Sequence, residues 1–251
     1  MIRKAAVACI LAVIQSAALI PSIHAENWPQ ILGLNRDGVV AELRVVQGWP
    51  TGEPTIHWRY PVGDGYAGPA VIDNQILVFH RIGAKERIES IARDTGKSLW
   101  RRDFDAYYRS SLDPDSGPRC VPLVVDDRVV VFGAAGACHA VKLHGGEQLW
   151  SRDLAEQYDS PDGYFGAGST PVHVNGIVVI NLGGEKNNAG MVGLDIATGQ
   201  TVWANTSELA SYSSPIVVKH EGKDRVFAVT RFNGILLDPT TGALLLTTPF
   251  G

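Results

Sequence analysis

The sequence is poor in cysteine and in net charge, and both shortages exclude classes of protein. Only 3 of its 251 residues are cysteine, too few for the disulfide framework that stabilises many small secreted domains. The 22 basic residues stand against 26 acidic ones, and no basic run appears, so nucleic acid is not an expected partner. Helical periodicity of useful length is also missing, which disfavours an α-helical fold.

Long apolar runs are absent except at the start of the chain. Arg3 and Lys4 form a positive segment, an apolar stretch from Ala5 to Ile20 follows, and small Ala25 precedes the expected cut. This order is typical of a secretory signal peptide at residues 1–25 rather than of a retained anchor. We therefore predict cleavage near Ala25 and a periplasmic or extracellular location. No later run approaches the ~20 apolar residues that span a bilayer, so we expect no transmembrane segment in the mature chain.

The chain does contain a repeat, whose clearest part ends in Gly-x-x-x-Trp. Three copies lie at Gly96–Trp100, Gly146–Trp150 and Gly199–Trp203, and a fourth at Gly242–Leu246 has leucine in place of tryptophan. The glycines recur after 50, 53 and 43 residues. Periods of this size indicate repeated supersecondary units.

Each copy is preceded by two β-branched runs joined by a tight polar pair, a pattern that predicts a β-hairpin. In the second copy the polar pair is Asp126-Asp127. A third apolar run and the Trp-bearing run follow, so each repeat predicts four short antiparallel strands. The sequence therefore predicts an all-β fold, a β-propeller with four-stranded antiparallel blades within residues 26–251. The predicted blades cover about residues 67–103, 118–153, 167–206 and 212–249.

Upstream of the first predicted blade, Ile56–Tyr60 has the pattern of a Trp-bearing strand without a hairpin before it. We interpret this orphan strand, within residues 55–62, as the closing strand of a blade whose other strands are not in the sequence. An open propeller would expose sheet edges and apolar blade faces. The expected architecture is therefore about four complete blades and one orphan strand, as part of a seven- or eight-bladed propeller.

Cys120 and Cys138 are the cysteines of the predicted mature chain. They fall on predicted strands that have one strand between them. Neighbouring strands are ~4.8 Å apart, so two such steps exceed the reach of an undistorted disulfide. We expect two half-buried thiols.

The Trp-bearing segment resembles the repeat of pyrroloquinoline-quinone (PQQ) type propellers, Ala-x-Asp-x-x-Thr-Gly-x-x-x-Trp. Its closest copy runs from Gly193 to Trp203. The resemblance implies that Asp195 and Thr198 tie the turn together by hydrogen bonds and that the tryptophans dock between blades. The tryptophans concerned are Trp58, Trp100, Trp150 and Trp203.

The predicted mature start, from Asn27–Gln30 through Asn35–Gly38, is similar to the opening of a group of exported bacterial PQQ-like repeat proteins. The group contains quinoprotein dehydrogenases and outer-membrane assembly propellers, so the resemblance implies the fold rather than the activity. A PQQ dehydrogenase would, by the same resemblance, hold calcium through Glu, Asn and Asp and often carry a vicinal Cys–Cys disulfide. Cys120 and Cys138 are not vicinal, and neither Asp113–Asp115 nor Asp126-Asp127 has calcium-loop spacing.

The 7 histidines do not cluster in the sequence. His139 and His144 lie five residues apart on one predicted strand, so they should face opposite sides and cannot share a metal ion. We expect no catalytic, cofactor-binding or metal-binding residue in this chain.

The first strand of each blade lines the axis of a propeller, and the residues just before these strands border the channel mouth. Arg231 and Asn233, on a turn between second and third strands, are expected at the opposite rim. These aromatic, hydroxyl and guanidinium groups suit an unknown protein, peptide or small polar ligand, although they could equally fill the channel and satisfy one another. The candidate binding residues are Tyr66, Arg119, Tyr164, Phe165, Ser169, Tyr212, Arg231 and Asn233.

Three functions are open at this point. The first, which we expect, is an exported, non-catalytic binding or assembly platform without a cofactor. The second is a PQQ-dependent oxidoreductase of alcohols or sugars, with PQQ and calcium and with catalytic acids in blades beyond this sequence. The third is a carbohydrate-binding module that uses the rim tyrosines.

Overall fold

The computed structural model of the protein describes residues 27–40, 52–53, 55–110, 112–163 and 165–250. The predicted signal peptide and Tyr164 lie outside the described residues. Sixteen strands in the described part form four separate four-stranded antiparallel sheets, each in chain order. The predicted all-β fold with four-stranded antiparallel blades is confirmed.

The strands follow the four copies of the repeat. Sheet 1 contains β1 (Ala70–Ile72), β2 (Gln75–Ile82), β3 (Lys85–Ala92) and β4 (Ser98–Asp105). Sheet 2 contains β5 (Leu123–Val125), β6 (Arg128–Phe132), β7 (Ala137–Lys142) and β8 (Gln148–Asp153). Sheet 3 contains β9 (Val172–Val174), β10 (Ile177–Asn181), β11 (Met191–Asp195) and β12 (Thr201–Asn205). Sheet 4 contains β13 (Ile216–His220), β14 (Lys223–Val229), β15 (Asn233–Leu237) and β16 (Leu244–Pro249).

Each polar pair predicted as a hairpin turn joins the first two strands of its sheet. The first residue of the pair has φ near +50° in all four turns. This left-handed conformation matches the twist of a two-residue hairpin and is tolerated by Asp and Asn. The residues concerned are Asp73, Asp126, Asn175 and Glu221.

Consecutive sheets pack face to face and share their apolar cores. Val129 and Val131 of β6 pack toward sheet 1, whereas Val130 and Phe132 pack toward sheet 3, because successive side chains of a strand point to opposite faces. Sheet 2 is therefore buried on both faces. Sheet 4 packs on sheet 3 through one face, while Leu244–Leu246 of its last strand are exposed.

A tryptophan at each junction lies over the glycine of the following repeat copy. The four glycines have φ between +66° and +71°, and a Cβ on any of them would lie 2.4–2.7 Å from the indole ring. Each indole N–H also donates to the carbonyl oxygen three residues before that glycine. The donor and acceptor pairs are Trp58 and Arg93 at 2.7 Å, Trp100 and Leu143 at 2.9 Å, Trp150 and Ile196 at 2.9 Å, and Trp203 and Pro239 at 2.8 Å.

The orphan segment around Trp58 lies beside sheet 1 without a ladder of its own in the described residues. Trp58 docks as above, the Tyr60 hydroxyl donates to Glu89 at 2.7 Å, and Asp64 forms an isolated bridge with Arg81. Side chains and one bridge thus hold this segment. The proposed closing blade stays a prediction.

The N-terminal segment, residues 27–38, crosses the first strands of the sheets. Trp28 pairs with Val71 of β1, and the Pro29 carbonyl accepts the N–H of Val124 in β5 at 2.8 Å. Arg36 is buried and donates to three carbonyl oxygens that precede β9 and β13. These acceptors belong to Thr170, Pro171 and Pro215. The segment thereby covers inner sheet edges that would otherwise be unpaired.

Three details differ from the sequence-based expectations. Cys120 and Cys138 are free thiols but fully buried rather than half-buried, because sheet 2 is covered on both faces. His144 lies beyond the end of β7 and is exposed, whereas His139 is buried. Although helical periodicity of useful length is missing from the sequence, the connection between sheets 2 and 3 contains a short helix, α1 (Leu154–Tyr158), which begins because the Asp153 side chain accepts the N–H of Glu156.

Candidate functional site

The antiparallel strand order brings two kinds of loop to one end of each sheet. The turn between the second and third strands lies at the same end as the connection that leaves the fourth strand for the next sheet. We call this the loop end. Arg231, on the β14–β15 turn, therefore lies on the same side as Tyr212, which precedes β13, and the expectation of an opposite rim is wrong.

A cavity of about 480 Å³ opens at the loop end between sheets 2, 3 and 4. The β6–β7 turn, the segment after α1, the end of β10, the segment before β13 and the β14–β15 turn all contribute to its lining. We call it the loop-end cavity. Its volume lies within the range of small-molecule sites, about 300–1,000 Å³.

Small residues form much of the cavity wall because two loops approach each other closely there. Gly166 has φ +73°, and a Cβ on it would lie 2.6 Å from the carbonyl oxygen of Ala134. The next N–H, that of Ala167, donates to the same oxygen at 2.8 Å. The Ala134 N–H in turn donates to the Glu86 carboxylate at 2.9 Å. Because Glu86 belongs to β3, this hydrogen bond ties the wall to sheet 1. Burial raises the pKa of the Glu86 carboxyl.

Tyr212 lines the cavity, and Phe165 packs against it. Their rings meet edge to face with centroids 5.8 Å apart, and the Tyr212 hydroxyl accepts the backbone N–H of Phe165 at 2.8 Å. A Cβ on Gly168 would lie 2.5 Å from the Tyr212 ring. The loop around the ring is thus closely fitted, and about half of the ring surface stays exposed.

Asn181 is the last residue of β10 and lies at the base of the cavity. Its side chain is only 2% exposed. The amide nitrogen lies 3.4 Å from both the Ser211 hydroxyl and the Val229 carbonyl oxygen. The amide oxygen has no hydrogen-bond partner among the described residues. Sequence reasoning missed this residue, whose one visible signal is a polar side chain at the end of the apolar run Ile177–Asn181.

Arg231 lines the same cavity and is exposed. Its backbone N–H donates to Leu209 at 3.0 Å, and its guanidinium lies over the Phe232 ring, 5.4 Å from the centroid. No ion pair involves Arg231 within the described residues. Asn233, by contrast, donates to Glu208 at 2.9 and 3.0 Å and ties two loops together instead of lining the cavity.

Tyr66 and Arg119 form a different cluster, at the loop end between sheets 1 and 2. The Tyr66 hydroxyl donates to Asp113 at 2.9 Å, and the Arg119 guanidinium lies over the Tyr66 ring, 5.4 Å from its centroid. A hydrogen bond from the Asp115 N–H, followed by that from Tyr66, lowers the pKa of Asp113. These groups satisfy one another. Ser169 is buried and donates to the Ser213 carbonyl at 2.8 Å, which joins two inter-sheet connections.

The structure thus divides the candidate residues into separate groups. Tyr212 and Arg231 line the loop-end cavity, and Phe165 contacts Tyr212 beside it, whereas Tyr66 with Arg119, Ser169 and Asn233 make loop contacts elsewhere. Tyr164 lies outside the described residues. Within the described part of the chain, no group of three or more His, Cys, Asp or Glu residues is placed to share a metal ion.

Comparison with known proteins identifies related sequences. A family model described as outer membrane protein assembly factor BamB matches residues 84–250. The glycerol dehydrogenase large subunit of Gluconobacter thailandicus is 28% identical over 152 residues, which cover 50% of this chain and 20% of that protein. The chain therefore spans about a fifth of the length of this curated relative.

Solved structures show the same fold at low sequence identity. BamB from Moraxella catarrhalis has a TM-score of 0.55 at 18% identity, over 76% of this chain and 51% of that one. A europium-containing methanol dehydrogenase has a TM-score of 0.56 at 18% identity, over 78% of this chain and 45% of that one. The chain thus spans about half the length of both. The resemblance to PQQ-like propeller repeat proteins is confirmed, and the likeness at this identity concerns the fold alone.

Proposed function

This chain belongs to the family described as outer membrane protein assembly factor BamB, and from that premise we propose that it is an exported, non-catalytic binding or assembly platform. The loop-end cavity is the observation that supports this proposal. Loops from three consecutive sheets meet there, and each loop joins strands of a hydrogen-bonded sheet. Binding residues commonly lie on loops that a rigid scaffold positions.

Export is the second part of the proposal. It is supported by the order of positive, apolar and small residues in positions 1–25, which is typical of a signal peptide. Among the described residues no helix is both long and apolar enough to cross a membrane. The N-terminal residue of protein recovered from the periplasm, read by sequencing, would test cleavage near Ala25.

A PQQ-dependent oxidoreductase is the second candidate, favoured by the sequence similarity to a glycerol dehydrogenase subunit. The donor set of the cavity does not fit this cofactor with its calcium ion. Calcium takes six to eight oxygen ligands, several of them carboxylates. The lining supplies one carboxylate, that of Asp162, and one free amide oxygen, that of Asn181. We therefore derive no step through PQQ.

A titration with PQQ and calcium separates the two functions. For the full-length chain we expect no stoichiometric change in the quinone absorption spectrum and no reduction of an artificial dye on addition of alcohols or sugars. Stoichiometric quinone binding together with substrate-dependent dye reduction would overturn the proposal. A glycan array tests the carbohydrate-binding alternative, because binding of a defined sugar that is lost in Tyr212→Ala would support that reading instead.

A further inference from the structure

We propose that the loop-end cavity binds an organic carboxylate that also carries an N–H or O–H donor, with Arg231 and Asn181 as its two polar contacts. This inference rests on the proposed binding function and names the ligand chemistry of that site. Two sources share this chemistry. One is a free hydroxy or amino acid, and the other is the C-terminus of a peptide, whose last residue carries both a carboxylate and an amide N–H.

The orientation of the Asn181 amide is set by its neighbours. Its nitrogen faces the Val229 carbonyl oxygen, and the Ser211 hydroxyl donates to that same carbonyl. If the amide were flipped, its oxygen would face the Val229 oxygen, and two acceptors would meet. The amide oxygen is therefore the group turned away from Val229 and is left without a partner.

A buried acceptor without a partner destabilises the folded protein unless something satisfies it. Asn181 lines the cavity and is almost fully buried. The oxygen itself exposes less than 1 Å² to solvent, so an N–H or O–H group on a molecule in the cavity can donate to it once the side chain turns toward the cavity. This acceptor selects ligands that carry a hydrogen-bond donor.

Arg231 supplies the complementary contact for an anion. It follows Val229, whose carbonyl oxygen faces the Asn181 amide, by two residues, and both Arg231 and Asn181 line the cavity. The Phe232 ring lies against one face of the guanidinium and leaves the in-plane N–H donors available. Those donors match the two oxygens of a carboxylate. Asp162, which also lines the cavity, favours a ligand that carries a donor besides its anion.

Calorimetric titration of the full-length chain, without PQQ or calcium, tests the proposal with four probes. These are N-acetyl-Ala-Ala with a free C-terminus, the same peptide as its C-terminal amide, L-lactate and D-gluconate. We expect at least one free carboxylate to bind and the peptide amide to bind at least tenfold more weakly than the acid. Binding of the peptide acid alone indicates a C-terminus as the ligand, whereas binding of lactate or gluconate alone indicates a free acid.

Substitutions of Arg231 and Asn181 test whether these residues contact the ligand. Arg231→Ala should weaken binding of the acid about 10- to 100-fold, the loss expected for a charge-assisted hydrogen bond, whereas Arg101→Ala, an exposed arginine on β4, should leave it unchanged. Asn181→Leu replaces the amide, whose oxygen is unpartnered and whose nitrogen makes only two long contacts of 3.4 Å, with an apolar group of similar size. It should weaken binding while the melting temperature is unchanged or raised, which a merely structural residue would not do.

The inference is overturned if none of the four probes binds at millimolar concentration. It is also overturned if the peptide acid binds and its amide binds equally well, or if Arg231→Ala binds the acid as the unsubstituted chain does. Failure of the platform proposal has a separate signature, namely dye reduction that depends on PQQ and substrate. The two failures can therefore be told apart.

Discussion

Trp203 holds sheet 4 against sheet 3, and its removal is expected to be costly. The side chain is 8% exposed within the core that these sheets share, and its indole N–H donates to the Pro239 carbonyl at 2.8 Å. Truncation of a buried tryptophan to alanine costs about 3–5 kcal/mol. Since natural domains are stable by only about 5–15 kcal/mol, Trp203→Ala should remove a large share of the free energy of unfolding.

Gly242 lies directly under this indole and provides a second perturbation of the same contact. Its φ is +71°, and a Cβ on it would lie 2.4 Å from the Trp203 ring. Gly242→Ala should cost about 1–2 kcal/mol for the left-handed backbone and about 1–3 kcal/mol more for the steric conflict with the indole. When Trp203 is already alanine, the conflict disappears and only the backbone cost remains. The double variant should therefore be more stable than the sum of the single losses predicts, by about 1–3 kcal/mol.

Urea unfolding followed by far-UV circular dichroism measures this coupling, because the removal of a tryptophan would alter a fluorescence signal. Val202→Thr is the matched control, since Val202 is adjacent to Trp203, 49% exposed, and on the opposite face of β12. It should change the free energy of unfolding by no more than about 0.5 kcal/mol. The reasoning is refuted if the two single losses add to within about 0.5 kcal/mol, or if Trp203→Ala costs no more than the control.

Three further predictions concern buried groups. Burial lowers the pKa of His139 to about 4, below the ordinary value of 6.5, so the unfolded chain takes up the proton at a higher pH than the folded chain does. The free energy of unfolding should therefore fall by about 3 kcal/mol between pH 6.5 and pH 4. In urea unfolding at different pH values, His139→Gln should reduce this fall, whereas His220→Gln, at an exposed histidine, should not. Arg36→Lys should expose the N-terminal segment to limited proteolysis, because a single ammonium nitrogen cannot replace the two guanidinium nitrogens that contact three carbonyl oxygens. A wild-type cleavage pattern would contradict this role. Burial raises the pKa of Cys120 to about 12 and also that of Cys138, so peptide mass spectrometry should show neither alkylated in the folded protein and both alkylated in urea.

The fold was predictable because the repeat contains residue types that particular backbone conformations require. A glycine with φ near +70° beneath an indole cannot be replaced by another residue without strain. Gly199 and Gly242 therefore mark the repeat in the sequence, even in the fourth copy, where Leu246 occupies the tryptophan position. The hairpin turns are visible for the same reason, since Asp126 and Asn175 tolerate φ near +50°.

The candidate site was less predictable because its contacts join segments that are distant in sequence. Asn181 and Arg231 are 50 residues apart, and neither belongs to a motif. The Arg36 contacts have no sequence signal either, since their acceptors are backbone carbonyl groups that every residue has. Tyr66 and Tyr212 both precede the first strand of a sheet, so the sequence pattern does not distinguish them, yet of the two only Tyr212 lines the loop-end cavity.

The tryptophan–glycine contacts between sheets and the candidate site lie at opposite ends of the sheets. Gly242 is in the turn between the third and fourth strands of its sheet, whereas Arg231 is in the turn between the second and third strands, at the loop end. The spacing from glycine to tryptophan is constant in the three intact copies, while the distance from one copy to the next varies between 43 and 53 residues. That variation in length therefore falls outside the docking contact, mainly in loops. Loop residues around the cavity can consequently change, and with them the ligand, while the tryptophan contacts continue to hold the sheets together.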